Sequence, residues 1–454
     1  MINFSNFYLV IFLLLPISLV IGPGLADSIV SLLSIFLIIY IIYRQEYRYF
    51  NSNFFYIFNI ICIYLIILSL TSNNILLSLE SSLFYFRFGI FAFAIFFISQ
   101  NNKYFNKYFL FSLLFATSLT SLSGLYEFFF KENFLNFFEI FYPKHIEIIE
   151  ANKNFIGRVS GFFGDELKLG SYLVRLLPVT IGLLFFNYAR SKNLYFLLFP
   201  YIILVSLTIF VTGERTAFFM LIIFFILFLL LIKKTRKIFS ISLFILFFLV
   251  SLVTFSNQEL KTRMIEKTVK QFVYKGKVAI TDEDKILTNN TKSNHNPTKY
   301  NFFSIQHEVI YKTSLKIFRD NKIFGIGPKM FREICKISKY HTYVTLDGSI
   351  MGCQTHSHNS YIQMLTETGI IGFIILFTFF IYISFKLLLY LIYYRSKTLS
   401  ELQYLQIFCL INIFLNLWPL MPTGSFFNNW LSIIYFIPIG FLLFTNSKKI
   451  DNKI

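Results

Sequence analysis

The sequence predicts an all-α integral membrane protein, and three observations support that prediction. Of its 454 residues, 56% are hydrophobic and only 14% are charged, a balance that water-soluble globular domains do not have. Apolar runs recur along the chain, most of them about 17–25 residues long, which is enough to cross a bilayer as a helix. Long polar segments interrupt them at only two places, near residues 131–170 and 256–367. We therefore expect transmembrane helices joined by short connections, with one large late loop that carries short helices.

About twelve apolar runs qualify as spans. The first lacks a basic n-region and a small-residue cleavage site, and a second run follows it closely, so it does not resemble a cleaved signal peptide. The runs lie near residues 7–21, 29–43, 54–70, 83–99, 108–128, 171–186, 194–211, 216–232, 238–255, 370–394, 405–420 and 431–444.

This pattern divides the chain into three regions. We expect a nine-span membrane region over residues 1–255, a large outside loop over 256–368 and a three-span region over 369–454. Lys and Arg collect in every second connection, such as RQEYR and KKTRK, while IGPGLAD and MPTGSFFNN contain neither. The positive-inside rule then predicts that both termini are cytoplasmic. The net charge of +18 reflects this topology and contact with membrane lipids, and no soluble basic domain is present to bind nucleic acid.

Polar side chains collect near the outer ends of the spans. All six histidines (145, 295, 307, 341, 356 and 358) fall in the two long outside segments. Ionisable groups in or near a bilayer are costly and are functional candidates, although each one alone could be an interfacial anchor. Together they predict a polar pocket beneath the late loop. The charged candidates are Arg87, Glu127, Asp165, Glu166, Arg175, Glu214 and Arg215.

The connection VTGERTAFF joins two spans with almost no intervening residues. Gly213 suits the tight turn that such a hairpin needs. Arg215 is the only basic residue in any short outside connection, and its planar guanidinium could bind a phosphate through two hydrogen bonds. The alternatives are an ion pair with Glu214 or an interfacial anchor.

The stretch QTHSHNSYIQMLTETGIIG places two histidines just before a membrane span. Ser357, Asn359 and Ser360 are good helix N-cap residues, but capping does not explain His356 and His358. Histidine near a helix N-terminus tends to stay neutral, which is the state that a general base requires. We therefore expect His358 to be the base and His356 to be secondary.

These segments together resemble a known family. His358, Asn359, Gly369 and Gly372 fit the pattern H-[NSQ]-x9-G-x-x-G of the bacterial O-antigen ligase and O-antigen polymerase superfamily. The turn GERTAF, the loop RDNKIFGIGPKMF and the segment GRVSGFFGDELKLGSYL are similar to the corresponding parts of these proteins.

The resemblance implies a membrane glycosyltransferase of the lipid-donor type, without a cofactor or metal, in the bacterial inner membrane. Such enzymes take a glycan from undecaprenyl diphosphate at the periplasmic face. Ligases transfer it to lipid A-core, and polymerases transfer it to another lipid-linked glycan. A transporter is the alternative outside the enzymes, but it should show broken spans with ionisable groups near the midplane.

The resemblance also assigns residues. It implies that Arg215 and His358 are essential and that a further arginine of the late loop acts on the substrate, for which Arg319 and Arg332 both qualify. We add Arg87, Glu214, His356 and Asp165 as substrate-binding candidates because of their predicted place in the pocket. A competing metal site would use Asp282 and Asp284 of TDEDK, which we interpret as a solvated charge run.

The four cysteines fall into two pairs. Cys62 and Cys409 lie inside separate spans and are typical of small buried apolar side chains. Cys335 and Cys353 lie in the late loop, in an oxidising compartment if the topology is right. We therefore predict a disulfide between them.

Overall fold

The computed structural model describes residues 2–134, 158–269, 280–281, 303–343, 352–393 and 398–451. Within these ranges the regular secondary structure is helical apart from one pair of two-residue strands. The helices are α1 (Ile2–Ile21), α2 (Pro23–Arg44), α3 (Asn53–Leu70), α4 (Ile75–Ser82), α5 (Phe86–Asn101), α6 (Phe105–Phe130), α7 (Leu169–Tyr188), α8 (Asn193–Val211), α9 (Arg215–Leu231), α10 (Arg236–Ser256), α11 (Gln258–Lys261), α12 (Ile305–Asp320), α13 (Phe331–Ile334), α14 (Ser360–Tyr393), α15 (Glu401–Asn416) and α16 (Asn429–Asp451). Strand β1 (Ile280–Thr281) pairs antiparallel with β2 (Thr342–Tyr343).

The helices confirm an all-α, multi-pass membrane architecture. Within the described ranges, 9 helical segments are long and apolar enough to cross a membrane, one of which runs through both α4 and α5. The remaining three of the expected spans correspond to shorter helices. These are the apolar part of α1 (Asn6–Ile21), α9 with 17 residues and α15 with 16 residues.

The bundle is organised around α7. In an apolar stretch of 18 residues of this helix, 89% of the residues are buried within the protein. Helix α15 packs along α7, and α16 packs along α5. The outer helices instead expose apolar side chains, such as Phe244, Phe247 and Phe248 of α10. Lipid tails are as apolar as these side chains, so such faces carry no penalty in a bilayer.

One end of the bundle gathers most of the polar side chains that the sequence predicts for the site. Successive membrane spans alternate in direction, with α4 and α5 forming one span, so the N-termini of α7, α9 and α14 lie at the same end as the C-termini of α6, α8 and α10. The connections rich in Lys and Arg lie at the opposite end, as the periodicity of charge predicts. We call the first end the site end.

The late loop has a small core of its own at the site end. Its buried members come from α12, α13 and the following turn, and they include Tyr311, Ile317, Phe331 and Cys335. The structure contains a disulfide between Cys335 and Cys353, whose Cα atoms are 5.1 Å apart, while Cys62 and Cys409 are buried within α3 and α15.

Candidate functional site

The turn between α8 and α9 is fixed to the start of α7. Gly213 has a φ of +67°, a conformation that favours glycine. The two carboxylate oxygens of Glu214 accept hydrogen bonds from the backbone N–H groups of Gly170 (2.8 Å) and Ser171 (3.1 Å). A carboxylate at this position satisfies the open N–H groups at the N-terminus of α7 and interacts favourably with its dipole. Arg215, the first residue of α9, is thereby held at a defined place.

A second arginine, which the sequence analysis did not single out, joins this turn. Arg263 lies in the π-helical turn Thr262–Glu266 that follows α10 and α11, and its Nε donates to the carbonyl of Gly213 at 2.8 Å. The pKa of Arg263 is lowered to about 10, mainly by burial and also by the positive charges of Arg158 and Arg215. The negative charge of Glu214 acts in the opposite direction. The three guanidinium groups therefore lie within electrostatic range of one another.

Arg158 forms the third member of this arginine cluster, which we define as Arg158, Arg215 and Arg263. Its Nη2 donates to the carbonyl of Leu167 at 2.8 Å, and its Nε is buried without a hydrogen-bond partner in the described structure. Burial raises the pKa of the neighbouring Glu214 carboxyl to about 7, with Arg158 the strongest opposing influence. Arg158 and Arg263 thus lie within electrostatic range of the weakly acidic Glu214 carboxyl, and Glu214 directly precedes Arg215. Three cations gathered in this way suit a multiply charged anion.

The other two loop arginines lie elsewhere. Arg319, in the last turn of α12, is exposed. Arg332 of α13 is partly buried near His356, whose pKa its charge lowers. Arg263 could have been noticed from the sequence as a basic residue in the amphipathic stretch NQELKTRMIEKTVKQF, soon after a span ends at the outer side.

Three imidazole rings form a second cluster beside the arginines. The ring centroid of His358 lies 4.0 Å from that of His356 and 5.8 Å from that of His307. We define the histidine cluster as His307, His356 and His358. Arg215 acts electrostatically on His307, so His307 links this cluster to the arginine cluster.

Helix α12 brings His307 to this position. His307, Tyr311 and Ser314 follow the i, i+4, i+7 spacing of one helix face. The Tyr311 hydroxyl donates to the carbonyl of His358 at 3.4 Å, and the Ser314 hydroxyl donates to Ser357 at 2.9 Å. This spacing in IQHEVIYKTSL is the feature of the sequence from which a role of His307 could have been noticed.

The backbone at His358 is strained and held from both sides. Its φ is +51°, an uncommon value for a residue other than glycine. Such a conformation costs of order 1–3 kcal/mol and persists only where the surrounding structure holds it. The carbonyl of His358 accepts from the backbone N–H of Thr423 at 2.9 Å, in addition to its bond from Tyr311. These contacts hold the backbone from which the ring projects.

The polar and glycine positions of the motif have structural explanations. Asn359 caps α14, because its Oδ1 accepts from the N–H groups of Tyr361 (3.0 Å) and Ile362 (3.1 Å). Gly369 has a φ of +67° and kinks α14, and a Cβ there would lie 2.1 Å from the carbonyl oxygen of Ile323. The kink therefore receives the glycine-rich loop that follows α12. Neither contact explains the two histidines of the motif.

Burial keeps all three rings of the histidine cluster neutral near pH 7. It lowers the pKa of His358 below its ordinary value. It lowers the pKa of His307 to about 4, with further contributions from His358 and Arg215. It lowers the pKa of His356 to about 3, with contributions from His358 and Arg332 and an opposing one from the Thr423 backbone. A neutral ring can accept a proton from a hydroxyl group, as a general base must.

Two other predicted site residues have different surroundings. Arg87 donates through Nε (2.9 Å) and Nη2 (2.8 Å) to one carboxylate oxygen of Asp27, and its Nη1 donates to the carbonyl of Phe84. Asp165 is exposed and acts electrostatically on Lys168.

A metal centre has no visible support in the part of the chain that the structure describes. There, no group of three or more His, Cys, Asp or Glu side chains is arranged to hold a metal ion. Asp282 and Asp284 lie outside the described residues.

Comparison with known proteins supports the family resemblance. Residues 200–377 match the family model described as O-antigen ligase. This segment contains Arg215, Arg263 and the whole histidine cluster, while Arg158 precedes it. No curated protein matches the chain. The match covers less than half of the chain and supports the resemblance to the O-antigen ligase superfamily.

Proposed function

We propose a specific reaction for this chain, whose residues 200–377 match the family model described as O-antigen ligase. In this reaction the protein transfers a glycan from undecaprenyl diphosphate to a hydroxyl group of lipid A-core, as an O-antigen ligase. Transfer to a second lipid-linked glycan, as in a polymerase, is the alternative within the same chemistry.

The adjacency of the two clusters is the observation that supports this proposal. The arginine cluster suits a diphosphate, because guanidinium groups bind phosphate oxygens through charge-assisted, often bidentate, hydrogen bonds. The histidine cluster suits a hydroxyl acceptor, because a sugar hydroxyl is a poor nucleophile that needs a base. Arg215 and His307 connect the two, so the donor's diphosphate and the acceptor's hydroxyl would meet there.

The reaction is a direct displacement. A neutral ring nitrogen of His358 takes the proton of the acceptor hydroxyl while its oxygen forms a bond to the anomeric carbon of the donor. The bond between that carbon and the diphosphate oxygen breaks, and its electron pair leaves with the diphosphate. The arginine cluster stabilises the additional negative charge on the leaving group. Attack opposite the leaving group inverts the anomeric centre.

The arginine cluster would supply the charge stabilisation that a metal supplies in other transferases, and we therefore propose a metal-independent reaction. Purified protein should retain its activity in excess chelator. Activity that disappears with EDTA and returns with Mg²⁺ or Mn²⁺ would instead support a site at Asp282 and Asp284.

The direct test is transfer by purified protein in lipid vesicles. The protein should consume a polyprenyl-diphosphate-linked glycan, release the carrier diphosphate and glycosylate lipid A-core. A transporter would move the lipid without releasing the diphosphate.

The surface glycans of a deletion strain separate the two acceptors. Loss of polymer from lipid A-core, with polymer remaining on the carrier lipid, supports the ligase. Lipid A-core carrying a single repeat supports the polymerase.

This function requires a particular topology. We propose that the site end faces the periplasm, that both termini are cytoplasmic and that the protein resides in the inner membrane. The late loop over residues 256–368 would then complete the site between the membrane regions 1–255 and 369–454. Cysteine-accessibility labelling at the two ends of the bundle tests this orientation.

A further inference from the structure

We propose that His307 is a third functional ring of the site, whose Nε2–H group donates a hydrogen bond to the leaving diphosphate. This inference rests on the proposed transfer reaction and assigns a role to a residue that lies outside the histidine motif. His307 would act with Arg215 on the donor, while His358 acts on the acceptor.

The contacts of His307 determine which ring nitrogen can meet a ligand. Its Nδ1 lies 2.6 Å from the hydroxyl oxygen of Ser304, the N-cap residue of α12. The same oxygen accepts the backbone N–H of His307 at 3.4 Å. While one lone pair of Ser304 Oγ accepts that N–H, its hydroxyl proton can be donated to Nδ1, and we assign this arrangement as part of the proposal. A neutral ring with Nδ1 as acceptor carries its own proton on Nε2, so Nε2 is a hydrogen-bond donor.

The position of His307 fits this role. The ring is only partly buried, and it lies between the other two parts of the site. Its centroid is 5.8 Å from that of His358 at an interplanar angle of 76°, so the two rings do not stack. The positive charge of Arg215, on the side where the diphosphate would bind, acts electrostatically on the ring of His307. A donor aimed at developing negative charge is most effective when it is held in place before the reaction.

The fold holds His307 rigidly enough for such a role. Ser304 fixes the start of α12, Tyr311 one turn later reaches the carbonyl of His358, and Ser314 reaches Ser357. The ring of Tyr311 also lies 6.1 Å from that of His307. These contacts make the positions of His307 and His358 interdependent.

The experiment compares three substitutions of His307 in the full-length protein. The amide nitrogen of Gln can approximate Nε2, whereas that of Asn approximates Nδ1. We expect His307→Ala and His307→Asn to lower kcat by about 10²-fold, the usual effect of losing one hydrogen-bond donor to developing charge. We expect His307→Gln to stay within about tenfold of the original protein, and the KM for the donor to change much less than kcat.

Two controls separate this inference from misfolding and from failure of the proposed function. Formation of the Cys335–Cys353 disulfide, read by alkylation, reports folding of the late loop, because α12 packs in the same small core as Cys335. His341→Gln is the matched control, since His341 lies in the late loop and its Nε2 contacts the carbonyl of Lys336 at 3.0 Å.

The outcomes are distinguishable. If the unmodified protein shows no transfer, the proposed function fails. If it shows transfer and His307→Ala is equally active, the role of His307 is wrong. Rescue by Asn but not by Gln, or equal inactivity of all three variants with the disulfide formed, also overturns it.

Discussion

Two arginine environments at the site end differ in how their charge is compensated. Arg87 donates two hydrogen bonds to one oxygen of Asp27, and the other oxygen of Asp27 accepts from Asn429 at 3.1 Å. This ion pair links the starts of α2, α5 and α16. In the arginine cluster, by contrast, Arg158 and Arg263 share one carboxyl within electrostatic range, that of Glu214, and burial makes this carboxyl less acidic.

The difference indicates that the arginine cluster is available to bind an anionic ligand, whereas Arg87 stabilises the bundle. The charge of Arg87 is compensated by Asp27 whether or not a ligand is bound, so this arginine gains little from an added anion. Guanidinium groups that raise one another's energy gain stability when an anion binds between them. We therefore expect the arginine cluster to matter for transfer and the Arg87–Asp27 pair to matter for folding.

The largest effect should follow from removing the base. His358→Ala should reduce transfer by about 10²–10⁴-fold, the usual contribution of general acid–base catalysis, while donor binding stays nearly unchanged because the arginine cluster is intact. His356→Ala should retain part of the activity. Turnover and donor binding must be measured separately. Normal turnover by His358→Ala, or complete inactivity of His356→Ala alone, would contradict this division of roles.

Arg215 should come next in magnitude. Arg215→Lys should fail nearly as badly as Arg215→Ala, each by about 10²–10³-fold in kcat, because lysine cannot reproduce a planar, bidentate contact with phosphate. Recovery of most of the activity by lysine would show that Arg215 provides only a positive charge or an anchor.

Arg263 and Arg319 provide a matched pair in the late loop. We expect Arg263→Ala to lower kcat/KM by about 10²-fold, since it removes a member of the arginine cluster and the bond to the Gly213 carbonyl. Arg319→Ala should change it by less than about threefold, because this side chain is exposed. The reverse ranking would restore Arg319 as the functional arginine of the loop and would remove the contrast between clustered and isolated arginines.

The rate of transfer should fall only at acidic pH, below the ordinary pKa of histidine. The base acts as a neutral ring, so activity is full above its pKa and is lost as the pH falls through it. Because burial lowers the pKa of His358 below its usual value, the acid limb of kcat should lie below about pH 6.5. An acid limb above that value would show that a group other than His358 controls the reaction.

The smallest effect on transfer should come from Arg87. Arg87→Lys should keep activity within about threefold, whereas Arg87→Ala should lower the free energy of unfolding by about 1–3 kcal/mol, because it leaves the partly buried Asp27 with fewer donors. Thermal unfolding in detergent and the transfer assay, measured on the same samples, test both statements. Loss of transfer in a stable Arg87→Lys protein would support the substrate-binding hypothesis for Arg87 and would abolish the contrast between the two environments.

The sequence by itself determined the membrane architecture. Apolar length and charge periodicity depend only on local composition, so they indicated the helices, the late loop and the end at which polar groups collect. The same holds for GERTAF and the histidine motif, where short-range requirements for a turn and a helix cap constrain the residue types. These segments were therefore recognisable without knowing any contact.

The tertiary structure alone decided which distant residues meet. Arg263 is 48 positions beyond Arg215, and it reaches the same turn because α9 and α10 return the chain to the site end. Arg158 arrives there from before α7, and His307 arrives through the docking of α12 on the histidine segment. The sequence could not distinguish Arg319 from Arg332 as the functional arginine of the late loop, because the exposure and direction of a basic side chain in a polar loop cannot be derived from the sequence. Long-range packing decides which of these side chains are buried and which of them meet, since it depends on the shapes of whole helices rather than on local residue preference.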